Sequence, residues 1–331
     1  MHNEPNLLIN VGIVIIGRNE GDRLIRCLNS LSTQSNQLVY VDSASTDDSV
    51  IMALSLGAEV VSLDMSIPFT AARARNEGFY RMRELFPQAL YVQFVDGDCE
   101  IALGWLESAA NFLAMHQDIA VVCGRRRERY PERTIYNLLC DIEWDTPIGE
   151  AKACGGDALM RVNAFENVSG FRSDLIAGEE PELCVRLRAA GWKVWRLDEE
   201  MTLHDAAMVR FGQWWKRTLR TGYGFAEGAH LHGAPPEHHW KKESRRAILW
   251  GLGIPAVSVC LAITFGAWGF VMLLLYPVQI IRLALRGTRS MKENWWRALF
   301  LVLGKFPEVI GQLNYFYNRL AGKTAHIIEY K

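Results

Sequence analysis

Tyr91-Val92-Gln93-Phe94-Val95-Asp96-Gly97-Asp98-Cys99-Glu100 is the stretch on which the fold turns. An apolar run of β-forming residues stops at two aspartates separated by a glycine. Buried strands read this way, and a glycine at the strand's end lets the chain turn so that both carboxylates face one point. Two hard oxygen ligands beside open coordination positions suit Mg²⁺ or Mn²⁺ carrying a diphosphate. Asp-Gly-Asp is equally ordinary turn chemistry. The flanking sequence has to decide.

Upstream, residues 11–16 form a β-branched run ended by Gly17-Arg18-Asn19-Glu20, and Leu24, Ile25, Leu28 and Leu31 then recur at helical spacing. Residues 37–41 read as a second strand that stops at Asp42-Ser43. Residues 49–56 are helical, with Gly57 as C-cap, and 59–63 make a third strand. A helix over 71–86 is stopped by Pro87, and 89–95 is the fourth strand; after a helix around 105–116, residues 120–124 make a fifth. Strands alternating with helices at this spacing predict an α/β fold, a mostly parallel sheet covered on both faces. Ligands of such sheets bind beyond the carboxyl ends of the strands. The polar clusters Arg18-Asn19-Glu20, Asp42-Ser43 and Asp96-Gly97-Asp98 all stand there.

The chain has 331 residues, half of them hydrophobic, so a sizeable core is available and wholesale disorder is excluded. With Lys+Arg at 36 and Asp+Glu at 37, net charge gives no argument for nucleic acid, and none is expected as a partner. The seven cysteines are scattered, without Cys-x-x-Cys spacing, as suits buried thiols in a reducing compartment. Met1-His2-Asn3-Glu4-Pro5 has no basic n-region followed by a long apolar run, so no signal peptide is expected.

Past Lys241-Lys242-Glu243-Ser244-Arg245-Arg246 the composition changes. Residues 247–281 carry no charge, well beyond the ~20 that span a bilayer once. Gly266-Ala267-Trp268-Gly269 offers a turn near the middle, and basic residues flank both ends. A two-helix membrane hairpin with both ends in the cytoplasm follows from the positive-inside tendency. A re-entrant hairpin and a buried helical pair fit the same composition. The expected organisation is a catalytic domain over 1–235, a basic linker over 236–246, a hydrophobic hairpin over 247–285, and an amphipathic, interfacial segment over 286–331 interrupted at Pro307. The four histidines between 230 and 240 read as a solvated loop.

Three further constellations carry chemistry. Arg73 and Arg75 open the helix at 71, where helix-end amides and guanidiniums can face a diphosphate or a nucleotide ring. Gly155-Gly156-Asp157 precedes a strand-like run, and its glycines allow close approach of a bulky substrate. In Gly178-Glu179-Glu180-Pro181, the proline fits a first helical turn and places both glutamates at the helix start. Acidic residues favour that position for dipole reasons alone; functionally, one of them removes a proton from an acceptor hydroxyl. His204 ends a further strand-like segment and could complete a metal site.

These pieces, in this order over residues 9–230, resemble the family 2 glycosyltransferases, inverting enzymes with the GT-A nucleotide-sugar fold. The carrying residues are 14–20, Val41-Asp42-Ser43, Ala72-Arg73-Ala74-Arg75-Asn76, Val95-Asp96-Gly97-Asp98, Gly155-Gly156, Gly178-Glu179-Glu180 with Leu183, Arg186 and Leu187, and His204. The resemblance implies that Asp42, Glu20 and an arginine of the 73/75 pair hold a uracil-type base, with Arg18 beside them. Asp96 would contact the ribose, or the metal through water. Asp98 would bind Mn²⁺ or Mg²⁺ on the diphosphate, with His204 as a further ligand. Glu180 would be the base, oriented by Glu179, and Gly155, Gly156 and Asp157 would receive the acceptor.

The implied reaction moves one sugar from a nucleoside-diphosphate sugar, a UDP-sugar by the family pattern, to a hydroxyl of a saccharide or lipid-linked acceptor. It would take place on the cytoplasmic side of a bacterial-type inner membrane. Two features depart from the family: Glu179-Glu180 stands where Glu-Asp is usual, and Gln213-Trp214-Trp215-Lys216-Arg217 does not match the Gln-x-x-Arg-Trp of processive synthases. Transfer of a single sugar is therefore expected. The alternatives are a non-catalytic membrane scaffold of the same nucleotide-binding shape and a sugar-nucleotide pyrophosphorylase. The latter usually opens on a Gly-rich phosphate loop, which residues 16–20 lack.

Overall fold

The computed structural model describes residues 10–32, 34–323 and 328. The N-terminal stretch read above for a signal peptide lies outside them, as do 324–327 and 329–331 of the C-terminal segment. The chain forms two compact units. The first holds Met1–Pro131, Cys140–Leu175 and Glu179–Ala207; the second holds Glu132–Leu139, Ile176–Gly178 and Met208–Lys331.

The first unit contains β1 (Val11–Gly17), α1 (Asp22–Ser32), β2 (Leu38–Asp42), α2 (Ser49–Ser55), β3 (Glu59–Ser62), α3 (Ala71–Leu85), β4 (Tyr91–Asp96), β5 (Cys99–Ile101), α4 (Trp105–Met115) and β6 (Ile119–Glu128). It continues with α5 (Ile135–Glu143, whose first turns belong to the second unit), β7 (Gly149–Glu150), β8 (Ala158–Arg161), α6 (Val162–Asn167), α7 (Glu179–Ala189) and β9 (Lys193–His204). The sheet order is β3-β2-β1-β4-β8-β6-β9-β5, with β7 also pairing β9. The strands from β3 to β4 are parallel, β8 is antiparallel to both its neighbours, and β6 and β9 are parallel. This is the mostly parallel α/β sheet that the alternation predicts.

Register places the chemistry. Gly17 pairs with Asp42 and Ile16 with Asp96, so the polar ends of β2, β1 and β4 form one row. Cys99 pairs with His204, and Glu128 with His204 from the other side. Burial on both faces explains why these strands are uninterrupted runs of Val, Ile, Leu and aromatics. Gly78 lets α3 lie flat on the sheet, since a Cβ there would run into Val14 and Val41. The fully buried Gln93 is satisfied by Trp105 Nε1–H (2.9 Å) and by donating to the Phe94 carbonyl (2.8 Å).

The second unit is helical: α8 (Phe211–His232), α9 (Lys241–Ile248), a π-type turn (Leu249–Gly253), α10 (Ile254–Phe265), a 3₁₀ segment (Gly266–Leu274), α11 (Leu275–Leu285), α12 (Met291–Leu303) and α13 (Lys305–Leu320). Residues 241–246 of the basic stretch are thus helical. Gly222 and Gly311 let the backbones of α8 and α13 touch, because a Cβ at either would strike the other helix. Around that contact Tyr223 and Tyr315 pack edge to face at 5.3 Å. Helix α12 ends before Gly304, and Pro307 sits in the first turn of α13, where it needs no N–H.

Lys241–Leu285 is one helical run long and apolar enough to cross a membrane, judged by length and composition. Core helices of soluble proteins can pass the same test, but they are mostly buried. Here only 11% of the most apolar window is buried. Within it the chain turns at Gly266 (φ +64°), Ser258 Oγ donates to the Gly269 carbonyl (3.0 Å), and Tyr276 hydroxyl donates to the Trp250 carbonyl (2.5 Å).

Candidate active site

Asp96 is the hub of the polar cluster. Its carboxylate lies between Arg75 (2.7 Å) and Arg126 (3.1 Å), and Arg75 reaches on to Glu179 (2.8 Å). Burial penalises the charge of Asp96, yet the two guanidiniums overcome it and hold the carboxyl below its ordinary value. Beneath it Asp157, wholly buried, accepts the Asp96 backbone N–H (2.9 Å) and the Thr202 hydroxyl (3.0 Å). Gly156 passes so close that a Cβ would lie 3.1 Å from both Arg75 Nη2 and Asp96 Oδ2. Gly155 has a left-handed backbone (φ +82°) and open space around it.

Asp98 points to another partner. His204 Nε2 is 3.3 Å from its carboxylate, and His204 Nδ1 is 3.6 Å from Glu128. Glu128 is fixed by the backbone N–H groups of Ala206 and Tyr130. The His204 ring meets Trp144 edge to face at 4.7 Å, and Arg126 lies 4.9 Å over that same indole. His204 Nδ1 is buried without a hydrogen bond. An oxygen–nitrogen pair from Asp98 and His204 fits a divalent cation. Cys99 lies within the same cluster, but burial pushes its thiol well up, and a neutral soft donor adds nothing for a hard ion.

At the far edge of the row, Asp42 is buried and accepts the Tyr40 hydroxyl (3.2 Å) and the Ser45 N–H (2.9 Å). Glu20 pairs with Arg23 (2.9 Å) and lies over Gly17 and Gly97, where Cβ atoms would come within 3.1 and 3.2 Å of its Cγ. Arg18 is exposed. The two arginines of α3 part company: Arg75 joins Asp96, whereas Arg73 turns back to the carbonyls of Asp64 (2.8 Å) and Ile67 (3.0 Å). Thr70 caps their helix by accepting the Arg73 N–H (3.0 Å).

The two glutamates at the start of α7 sit in different surroundings. Glu179 faces Arg75. Glu180 is buried and accepts the Cys154 N–H (2.5 Å) and the Cys184 thiol (3.2 Å) through one oxygen. Burial raises its carboxyl above the ordinary value, against the lowering effect of those donors.

Arg126, Glu128 and Trp144 were not singled out from the sequence. The signal was the run Arg125-Arg126-Arg127-Glu128 ending β6, whose pairing with β9 becomes visible only when His204 is in place.

Residues 12–169 match the family model described as "Glycosyl transferase family 2". Among relatives, Glycosyltransferase AglE of Haloferax volcanii is 23% identical over 229 residues, spanning 65% of this chain and 72% of that protein. Among solved structures, the mannosyltransferase PcManGT of Pyrobaculum calidifontis, in complex with GDP-Man and Mn²⁺, superposes with a TM-score of 0.64 at 18% identity, covering 92% of this chain and 87% of its own. TarS 1–349 of S. aureus gives 0.52 at 14% identity, covering 95% and 92%. These likenesses share the GT-A fold. The matching domain and the row of strand-end carboxylates agree: residues 12–169 of the chain form a family 2 glycosyltransferase domain.

Proposed function

We propose that the chain transfers one sugar, with inversion, from a nucleoside-diphosphate sugar to an acceptor hydroxyl. The observation that carries this is the convergence at one sheet end of Asp96, Asp98, His204, Arg75 and Gly156, with Glu179 tied in through Arg75. Asp98 and His204 would hold Mn²⁺ or Mg²⁺. When bound, the ion acts as a Lewis acid toward the diphosphate that leaves. Asp42, Glu20 and Arg18 line the side that would take the base, with Arg75 fixed beside Asp96 at the ribose. Gly155 and Gly156 leave room for an acceptor above Asp157.

Glu180 takes the acceptor's hydroxyl proton. The freed oxygen attacks the anomeric carbon, the bond from that carbon to the diphosphate oxygen breaks, and its electron pair leaves with the nucleoside diphosphate. A raised carboxyl is well matched to accepting a proton near neutrality. Glu179, already neutralised by Arg75, serves better to orient that arginine. A second reading makes Glu179 the base, because it shares Arg75 with Asp96.

The mismatch of Gln213-Trp214-Trp215-Lys216-Arg217 to the Gln-x-x-Arg-Trp of processive synthases supports transfer of a single sugar. The exposed apolar run and its basic flanks support attachment to the cytoplasmic face of an inner-type membrane and an acceptor with a lipid part. Detergent-purified protein with Mn²⁺, a panel of UDP- and GDP-sugars, and membrane lipid extract tests the reading through nucleoside diphosphate release. Asp98→Ala and His204→Ala should each raise the Mn²⁺ concentration for half activity at least about tenfold. Full activity of Asp98→Ala without added metal would sink it.

A further inference from the structure

Glu180 has two thiols for neighbours, and all three residues belong to the first unit. Cys184 stands four residues further along α7, so its side chain rises from the same helix face as Glu180. Cys154 comes from the segment between β7 and β8, and its backbone N–H ties that segment to the Glu180 carboxylate (2.5 Å). The two sulfurs lie 3.8 Å apart, and Cys184 Sγ is 3.2 Å from Glu180 Oε1. One ligand atom from each of the three lies within 4.8 Å of the other two. We propose that Cys154, Cys184 and Glu180 form a binding site for a thiophilic divalent cation of the Zn²⁺ class. The site rests on this geometry alone. Its consequence, that a bound ion stops the reaction, rests on the reading of Glu180 as the base.

The spacing suits such an ion. Tetrahedral Zn²⁺ with Zn–S bonds of about 2.3 Å sets two sulfurs about 3.8 Å apart, with a bound carboxylate oxygen roughly 3.6 Å from each. The sulfurs already stand at the first separation, and Cys184 is within about half an ångström of the second. Both cysteines are free, and their separation far exceeds the about 2.0 Å of an S–S bond. Two ligands four residues apart on one helix is also the spacing by which helical metal motifs grip a single ion.

The donor set differs from that of Asp98 and His204. Thiolates select Zn²⁺ and its soft congeners, whereas Mn²⁺ and Mg²⁺ prefer oxygen. Binding replaces the two thiol protons, which pass to solvent. Cys123 stays outside the trio and donates its thiol to the Trp195 carbonyl (3.7 Å). Solvent reaches the edge of the site, because Cys154 is flanked by the exposed Ala153 and Gly155, and a Cβ on Gly155 would meet nothing within 4 Å. An ion held there occupies the carboxylate oxygen that now accepts the Cys154 N–H and the Cys184 thiol. Glu180 so bound takes no proton from an acceptor hydroxyl.

The test uses the full chain in detergent with a phosphine reductant, titrated with Co²⁺ as a coloured stand-in for Zn²⁺. Asp98→Ala with Cys260→Ser is the background, which removes the hard-ion pair and the exposed thiol. The proposal expects thiolate-to-cobalt charge-transfer absorption that saturates at one ion per chain and is displaced by Zn²⁺ but not by excess Mn²⁺. Cys154→Ser and Cys184→Ser should each weaken Co²⁺ binding at least about tenfold, and Cys123→Ser should not. Glu180→Gln leaves both sulfurs in place; binding should weaken by a similar factor with the absorption retained, a readout that survives if a serine variant does not fold. In the chain without substitutions and with Mn²⁺ in excess, buffered Zn²⁺ should lower nucleoside diphosphate release at least about tenfold, reversibly by chelator. Each serine variant, compared with its own zinc-free rate, should lose that sensitivity. Absence of the charge-transfer absorption, or its persistence unchanged in the folded double serine variant, overturns the site. Absorption with release untouched by Zn²⁺ keeps the site and removes Glu180 as the base. No release from any donor sugar, with the absorption intact, counts against the glycosyltransferase reading and leaves the site standing.

Discussion

Glu180→Gln isolates a single charge. Glutamine has the shape of glutamate, and its amide oxygen can still accept the Cys154 N–H and the Cys184 thiol that Glu180 accepts now. The packing of α7 is therefore kept and only proton acceptance is lost. A positioned general base contributes about 10²–10⁴ in rate, so kcat should fall by that factor while donor KM stays near the wild-type value. Stability should move the other way. Burial raises the Glu180 carboxyl above its ordinary 4.5. The folded chain thus holds this proton more tightly than the unfolded chain does. The stability linked to it is complete below the unfolded value and is lost as pH rises through the folded one. At neutral pH the buried charge opposes folding, and the amide removes that opposition. Nucleoside diphosphate release at saturating acceptor, followed from pH 5 to 9 beside thermal unfolding, measures both. Wild-type activity should rise with pH along a limb displaced upward from an ordinary glutamate, and the variant should lack that limb. Near-wild-type kcat in Glu180→Gln with a collapse in Glu179→Gln would refute the assignment and make Glu179 the base.

Arg75→Met strands the carboxylates of Asp96 and Glu179, which now share its buried guanidinium. Asp96 keeps Arg126, so the loss of folding stability should be about 3 kcal/mol, the lower end for a broken buried pair, and nucleoside diphosphate binding should weaken with it. Unchanged unfolding would show that Arg75 is dispensable to the cluster. Gly78→Ala presses a methyl against Val14 and against Val41 at 2.7 Å; denaturant unfolding should reveal about 1–3 kcal/mol of destabilisation with donor affinity retained in the folded fraction.

Much of the first unit was legible because its strands are buried on both faces and bounded by turn residues. The run at residues 11–16 and its end at Gly17 could be read directly, as could the helix stopped before Pro87. The strand ends of Asp42 and Asp96 followed from the rule that parallel sheets bind ligands at their carboxyl edge. What local pattern does not contain is pairing across distance. Arg73 and Arg75 look alike in sequence, and only the loop at Asp64–Ile67 separates the one that turns away from the one that reaches Asp96. Arg126 hid in a basic run because β6 extends past the point where its apolar residues stop, carried on by pairing with β9. The different surroundings of Glu179 and Glu180 depend on Cys154 and Cys184, whose side chains carry no polar signal that spacing could reveal.

Asp157 divides the donor side into two halves of unequal freedom. By accepting the Asp96 N–H and the Thr202 hydroxyl from a position closed to water, it couples the ends of β4 and β9 to the residue just before β8. Any change there disturbs several strands at once. The Asp42 edge is different: Ala44, Thr46, Asp47 and Asp48 are exposed, and the loop is tied mainly by Asn19 to Ser45 and Thr46. On the proposed reading, altered nucleotide preference would be accessible through surface substitutions in residues 44–48. The half proposed to hold the diphosphate would tolerate almost none, so that chemistry and donor choice would diverge independently within one sheet edge.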